Sequence, residues 1–288
     1  MKTLHKITTF LSVLLFAVLL GACSQQSSND NTSQASGTAR SLEEIKKSGK
    51  VTIGVFSDKK PFGYVDENGD YQGYDVYFGN QLGKELGVKV KYVPVDAASR
   101  AEYLVSGKVD IILANFTVTK ERAQQVDFAL PYMKVSLGVV SPKKELITKV
   151  DQLKGKKLIV SKGTTAETYF SKHYPDIELV KFDQYSDAYA ALLDGRGDAF
   201  STDNTEVLAW SLENKGYEVG ITSLGDVETI APAVQKGNKE LRSFINKTIK
   251  KLGKENFFHK DFDETLKPIY GDSAKPDEIV VEGGQVKK

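Results

Sequence analysis

The chain has 288 residues, 40% of them hydrophobic and 27% charged, with a formal net charge of +1. This length and composition suit one large or two modest globular domains, and the near-even charge balance excludes the basic stripe of a nucleic-acid-binding protein. A single cysteine excludes any disulfide within the chain, so stability has to come from the cores alone.

Lys2, His5 and Lys6 precede an apolar run from Phe10 to Leu20, which leads into Leu20-Gly21-Ala22-Cys23. A basic start, a short apolar core and small residues before a cut describe a signal peptide over residues 1–22. The run is shorter than the roughly 20 apolar residues that a membrane-spanning helix needs. The Leu-Gly-Ala-Cys ending resembles a bacterial lipobox, which implies that Cys23 is diacylated and ties an extracytoplasmic protein to the membrane. Residues 24–39 hold no large apolar side chain, so 23–40 reads as a flexible, lipid-anchored stalk.

From there β-branched runs alternate with helical patterns. Val51–Phe56 reads as a strand, Asp75–Leu86 as a helix ended by Gly87, Lys89–Val95 as a strand, Ala97–Ser106 as a helix and Asp110–Ala114 as a buried strand. The pattern recurs as strand Lys157–Val160, helix Thr164–His173, strand Ile177–Phe182, helix Tyr185–Leu193 and strand Asp198–Thr202. Such alternation predicts parallel sheets with helices on both faces. Two extended runs, Lys134–Ser141 and Glu228–Gln235, lead out of the first block and back to it. Helices over Lys239–Leu252 and Glu255–Leu266 close the body, and the second should stop before Pro268.

The expected architecture is α/β, with two doubly wound lobes joined by two extended crossings. Lobe 1 takes residues 41–137 and 230–271, lobe 2 takes 138–229, and 272–288 form a loose tail. A ligand cleft between the lobes would lie at the carboxyl ends of the strands.

Gly107-Lys-Val-Asp-Ile-Ile-Leu-Ala-Asn-Phe-Thr-Val-Thr-Lys-Glu-Arg122, followed by Val126-Asp-Phe-Ala-Leu-Pro-Tyr132, resembles the type 3 extracellular solute-binding proteins of amino-acid ABC importers. Pro61-Phe62-Gly63-Tyr64, Gly73-Tyr74-Asp75-Val76, Lys162-Gly163-Thr164-Thr165 and Asp194–Asp203 carry the same resemblance, in order, across the whole body. It implies a periplasmic-binding-protein-like type II fold and points to the aspartate- and glutamate-binding subgroup. It also implies ABC permease subunits as partners, a monomeric receptor, and no cofactor, metal or catalysis.

An α-amino acid presents a carboxylate and an ammonium at fixed separation. A guanidinium fork matches the first in both charge and direction, and an anion matches the second. The resemblance assigns the ligand's α-carboxylate to Arg122, Thr117 and Thr164, and its ammonium to Asp203 and the Asn115 carbonyl. Lys59, Arg100 and Tyr185 are placed against the ligand side chain. Summing Lys59, Arg100 and Arg122 against Asp203 gives a pocket of about +2, which favours glutamate or aspartate, since an unpaired buried ion costs several kcal/mol. Glutamine or cystine is the alternative ligand.

Blander readings stand beside each assignment. Lys60 rather than Lys59 could face inward, Arg100 could bridge to Glu102 or Asp96, Thr164 and Asp203 could be plain helix caps, and Tyr185 could simply pack. Catalysis is the rival function, but no His/Cys/Asp set has zinc spacing and no nucleophile elbow occurs. A sensory or adhesive surface protein on the same fold is the other rival.

Overall fold

The computed structural model describes residues 37–286; the expected signal peptide, Cys23 and the stalk as far as residue 36 lie outside the described residues. The body begins earlier than expected. Gln235 Nε2 donates to the Gly37 carbonyl at 2.7 Å, and the Arg40 guanidinium pairs with Asp110. Residues 37–40 therefore belong to the fold, because Arg40 finds a buried carboxylate partner.

Ser41 caps helix α1 (Leu42–Ser48) by accepting from Glu44 N, while the Glu44 carboxylate accepts Ser41 N. This reciprocal box satisfies two of the N–H groups that a helix start leaves open. Strand β1 (Lys50–Val55) is followed by a small antiparallel sheet of β2 (Asp58–Lys59), β3 (Gly63–Val65) and β4 (Tyr71–Gln72). Helix α2 (Tyr74–Leu86) buries Val76, Phe78, Leu82 and Leu86 along one stripe and ends at Gly87, whose φ of 72° suits a residue without Cβ. Strand β5 (Lys89–Pro94), helix α3 (Arg100–Val105), strand β6 (Ile111–Ile112), helix α4 (Lys120–Gln125) and strand β7 (Val126–Phe128) complete the first block. Helix α3 starts three residues later than expected, because the Asp96 carboxylate accepts Ser99 N and holds residues 96–99 in a turn.

The second block comprises β8 (Met133–Pro142), β9 (Lys157–Ser161), α5 (Thr165–His173), β10 (Glu178–Phe182), α6 (Tyr185–Leu193), β11 (Ala199–Asp203), α7 (Asn204–Glu213) and β12 (Tyr217–Ile230). The chain then adds β13 (Ala233–Gln235), α8 (Lys239–Gly253), α9 (Phe257–Asp261), α10 (Lys267–Tyr270) and α11 (Pro276–Ile279). One sheet runs β5-β1-β6-β13-β7 and the other β10-β9-β11-β8-β12. Both are mixed rather than purely parallel: β13 runs against β6 and β7, and β8 against β11 and β12. The strands that join these sheets without a βαβ crossover are the ones that pair antiparallel. Met133–Val135 and Glu228–Ile230 pair side by side where the chain crosses between the sheets.

One core packs Ile53, Phe78, Tyr132, Ile245 and Phe258 beneath α2, α8 and α9. Another runs from Leu104 and Phe116 through Phe56 and Tyr185 to Phe200 and Val207, and so includes residues of both sheets. A third, with Leu158, Val160 and Phe170, lies on the far side of the second sheet.

Two expectations about the C-terminal part fail. The last helix does not stop before Pro268. A π turn over Phe262–Leu266, closed by Lys267 N on the Phe262 carbonyl, widens the helix there, and Pro268 sits in the first turn of α10, where its missing N–H is tolerated. The tail is not loose either. Ile279, Val280 and Val281 are buried, Val281 N donates to the Tyr132 carbonyl at 3.0 Å, and the Glu282 carboxylate accepts Phe258 N and His259 N at the start of α9. Three consecutive apolar residues outweigh the polar composition around them.

Candidate functional site

Every sequence-predicted site residue except Cys23 lies among the described residues, and these side chains converge where the two sheets face each other. Strand β2 supplies Lys59, the first turn of α3 supplies Arg100, and the segment after β6 supplies Asn115 and Thr117. Helix α4 supplies Arg122, which follows its N-cap Thr119. From the other sheet come Gly163 and Thr164 after β9, Tyr185 at the start of α6, and Asp203 at the end of β11.

Both guanidinium groups pack over Phe116, with their carbons 4.5 Å (Arg100) and 4.9 Å (Arg122) from the ring centre. Arg122 donates to the Thr117 carbonyl at 2.8 Å and the Gly163 carbonyl at 2.9 Å. Arg100 donates to the carbonyls of Ala97, Ala114, Asn115 and Gly163 at 2.9 to 3.2 Å, and neither Glu102 nor Asp96 takes a hydrogen bond from it. Burial, with the Arg122 charge beside it, pulls the Arg100 guanidinium down to about 9. Burial lowers Arg122 as well, against the pull of Asp203.

Asn115 has a left-handed φ of 41°. Its N–H donates to Asp75 Oδ2 at 3.0 Å, and Tyr132 Oη donates to the other oxygen of that carboxylate. Asp75 thus holds the backbone of Asn115 in a conformation that non-glycine residues rarely adopt. Burial raises the Asp75 carboxyl to about 6, against the hydrogen bonds from Tyr132 and Asn115. The Asn115 side-chain oxygen is buried without a hydrogen-bond partner among the described residues.

Lys59 is the inward lysine; Lys60 pairs with Glu213 at the surface. Lys59 Nζ lies 3.0 Å from Asp203 Oδ2 and 2.9 Å from Glu206 Oε2, and its side chain is 1% exposed. Phe56, Phe62 and Tyr185 surround the ammonium, with ring centres at 5.3, 5.9 and 4.6 Å. Burial works against the charge, but Asp203 and Glu206 outweigh it and hold the lysine well above its ordinary value. Asp203 therefore faces Lys59 and makes no side-chain cap for α7. Thr164 does cap its helix: its hydroxyl accepts Glu167 N at 3.1 Å and donates to the Ser161 carbonyl at 2.6 Å. Tyr185 packs edge-on against Phe56, and its hydroxyl meets Thr202 Oγ1 at 3.3 Å.

Sequence reasoning missed Glu206 and Asp75. Glu206 lies one helical turn after Asp203, in Asp203-Asn-Thr-Glu206, and that spacing was the available signal. Burial raises it to about 7 against the pull of Lys59, and Tyr189 Oη donates to its other oxygen at 3.2 Å. Asp75 sits inside Gly73-Tyr74-Asp75-Val76, where α2 geometry turns it inward. With both included, the buried cations Lys59 and Arg100 and the half-buried Arg122 are matched in number by the buried carboxylates Asp75, Asp203 and Glu206. The expected pocket charge of +2 is therefore corrected to formal balance. Beside Arg122 and Gly163 a cleft of about 750 Å³ opens, with Tyr169, Asp226 and Glu228 also on its walls.

Residues 51–263 match the model of the bacterial extracellular solute-binding proteins, family 3. The crystal structure of a cysteine-binding protein from Campylobacter jejuni is 55% identical, covering 84% of this chain and 98% of that one, with a TM-score of 0.82. A solute receptor for L-cysteine from Neisseria gonorrhoeae is 50% identical over 84% of this chain and all of its own (100%), with a TM-score of 0.83. The glutamine-binding protein of a Bacillus subtilis ABC transporter is 31% identical, covering 92% of this chain and 98% of its own length. These neighbours share the periplasmic-binding-protein-like type II architecture.

Proposed function

The chain belongs to the bacterial extracellular solute-binding proteins, family 3, the binding components of amino-acid ABC importers, and we propose that its ligand is a small neutral amino acid, L-cysteine. The observation that carries this reading is the pairing of Lys59 with both Asp203 and Glu206. The expectation of aspartate or glutamate rested on Lys59 and Arg100 as unpaired cations, and both have partners: two carboxylates for Lys59 and four backbone carbonyls for Arg100. A zwitterion adds no net charge to a centre already balanced, whereas a second carboxylate would have to be buried without a counter-ion. The 55% and 50% identities to two proteins named for cysteine support the choice among neutral ligands. Glutamine is the second reading, favoured by the Bacillus subtilis relative.

In this reading the ligand carboxylate takes the guanidinium fork of Arg122 and the N–H groups opening α5, where a helix start favours an anion. Its ammonium takes Asp203 and the Asn115 carbonyl, which has a second lone pair beyond the one Arg100 uses. Thr117 lines the carboxylate end, and Tyr185 and Phe56 bound the side chain. Because Arg122 and Asp203 come from opposite sheets, one ligand bridges both and favours their closed arrangement. The closed form then docks on ABC permease subunits. Acylated Cys23 tethers the receptor outside the cytoplasm; replacing Cys23 with Ala should release it from the membrane fraction and abolish labelling by radioactive palmitate.

Calorimetric titration of the purified protein with L-cysteine under reducing conditions, L-glutamine, L-aspartate and L-glutamate tests the ligand. Tight cysteine binding with weak aspartate binding is expected. A preference for either acidic ligand would overturn the charge argument, and a preference for glutamine would select the second reading.

A further inference from the structure

We propose that Glu206 is the residue that sets the charge class of the ligand: by holding Lys59, it withholds that ammonium from any second carboxylate. This rests on the receptor reading above and deepens it, by separating the part that Glu206 plays in the Lys59 pairing from the part that Asp203 plays.

Lys59 cannot be hydrated where it lies, since its side chain is 1% exposed and three aromatic rings surround it. Such an ammonium must be paired by anions. Asp203 is one partner, but it is also the group that the ligand ammonium is expected to engage. Once shared in that way, Asp203 neutralises Lys59 less. Glu206 is the partner that stays. Its side chain is 1% exposed and one turn into α7, with Lys59 at 2.9 Å on one oxygen and Tyr189 Oη at 3.2 Å on the other. Tyr189 is itself fixed, stacked on Trp210 at 4.7 Å with 9° between the planes. The Thr202 hydroxyl lies 3.4 Å from the oxygen that faces Lys59. The carboxylate is therefore held in place from several sides and cannot swing away to let a ligand carboxylate take Lys59.

Arg100 does not offer a substitute cation. Its donors are spread over four backbone carbonyls, which leaves Lys59 as the ammonium that a ligand side-chain carboxylate would need. Removing the charge of Glu206 while keeping its shape should convert the site from one that rejects acidic amino acids to one that admits them.

The test is the ratio of L-aspartate to L-cysteine affinity, by calorimetry, in the wild-type protein and in Glu206→Gln, Lys59→Met and the double variant. A general loss of structure weakens both ligands together, whereas the ratio reports charge. Glu206→Gln should shift the ratio about tenfold toward aspartate, the size of one altered charge interaction near 1.4 kcal/mol. Lys59→Met should shift it the other way, and the double variant should return near the wild-type ratio. If thermal melts show Glu206→Gln unfolded, the Lys59→Met shift decides. An unchanged ratio in the folded variants, with cysteine still bound, overturns the role of Glu206 alone. A wild-type protein that binds no amino acid overturns the receptor reading and this role with it.

Discussion

Arg122, on a helix of the first sheet, donates a 2.9 Å hydrogen bond to the carbonyl of Gly163, in the turn that opens a helix of the second. Arg100 donates to the same oxygen at 3.2 Å. One backbone atom thus sits under two positive side chains, at the place where a ligand carboxylate is proposed to bind. The geometry depends on glycine: φ is +73°, and a Cβ would lie 2.5 Å from Ala98 Cα.

Replacing Gly163 with Ala should therefore push the turn away from Ala98 and strain its backbone by roughly 1–3 kcal/mol. Cysteine affinity should fall about tenfold, with a lower thermal midpoint. Calorimetry and a thermal melt read the two effects; an unaltered affinity would show that the Gly163 turn does not shape the site.

Arg122→Ala should reduce binding of every amino-acid ligand by about 100-fold, as expected for loss of a charge-assisted pair worth ~3 kcal/mol. Arg122→Lys keeps the charge and loses the fork, so it should recover only part of that affinity. Full recovery by lysine would mean that charge alone matters there.

Asp75→Asn tests how the Asn115 carbonyl is aimed. The substituted amide keeps an acceptor for Tyr132 Oη but sets an NH₂ or a single shared oxygen against Asn115 N. Binding should weaken about tenfold for cysteine and glutamine alike, because the backbone rather than the pocket charge is disturbed. An effect confined to one ligand would contradict this.

Stability should fall as pH rises from about 5 to about 8. Burial lifts Glu206 to about 7 and Asp75 to about 6, and raises Asp261 in the same direction. Raised carboxyls bind protons more tightly in the folded than in the unfolded chain. Their contribution is full below the unfolded values and is lost as pH passes through the folded ones. Urea midpoints measured across this range should decline, and Glu206→Gln should flatten the upper part of the decline. A midpoint that rises with pH would contradict the assignment.

Ile279→Ala should lower stability by about 2–4 kcal/mol, the usual cost of emptying a buried aliphatic site. Denaturant unfolding checks it. A change near zero would mean that the C-terminal segment is dispensable to the core on which it packs.

The order of strands and helices was legible in the chain because its causes are local. Val51, Ile53 and Val55 alternate into a sheet, Val76, Phe78 and Leu82 repeat on one helical face, and Thr164 marks a helix start within a few residues of itself; α1, whose cap is Ser41, was not read from the chain. The tail was misread because Ile279-Val280-Val281 is too short a run to signal burial without the Tyr132 carbonyl it meets. Antiparallel β8 and β13 were missed because pairing direction depends on where a strand enters the sheet.

The sequence by itself determined the family, the alternating α/β order and the concentration of Lys59, Arg100, Arg122 and Asp203 in one region. Only the tertiary structure decided what those charges do. Asp203 stands 144 residues from Lys59, and Glu206 stands three beyond it. Whether a lysine is free to recognise a ligand or already neutralised depends on which groups share its buried volume. That is a property of the folded interior and not of spacing along the chain.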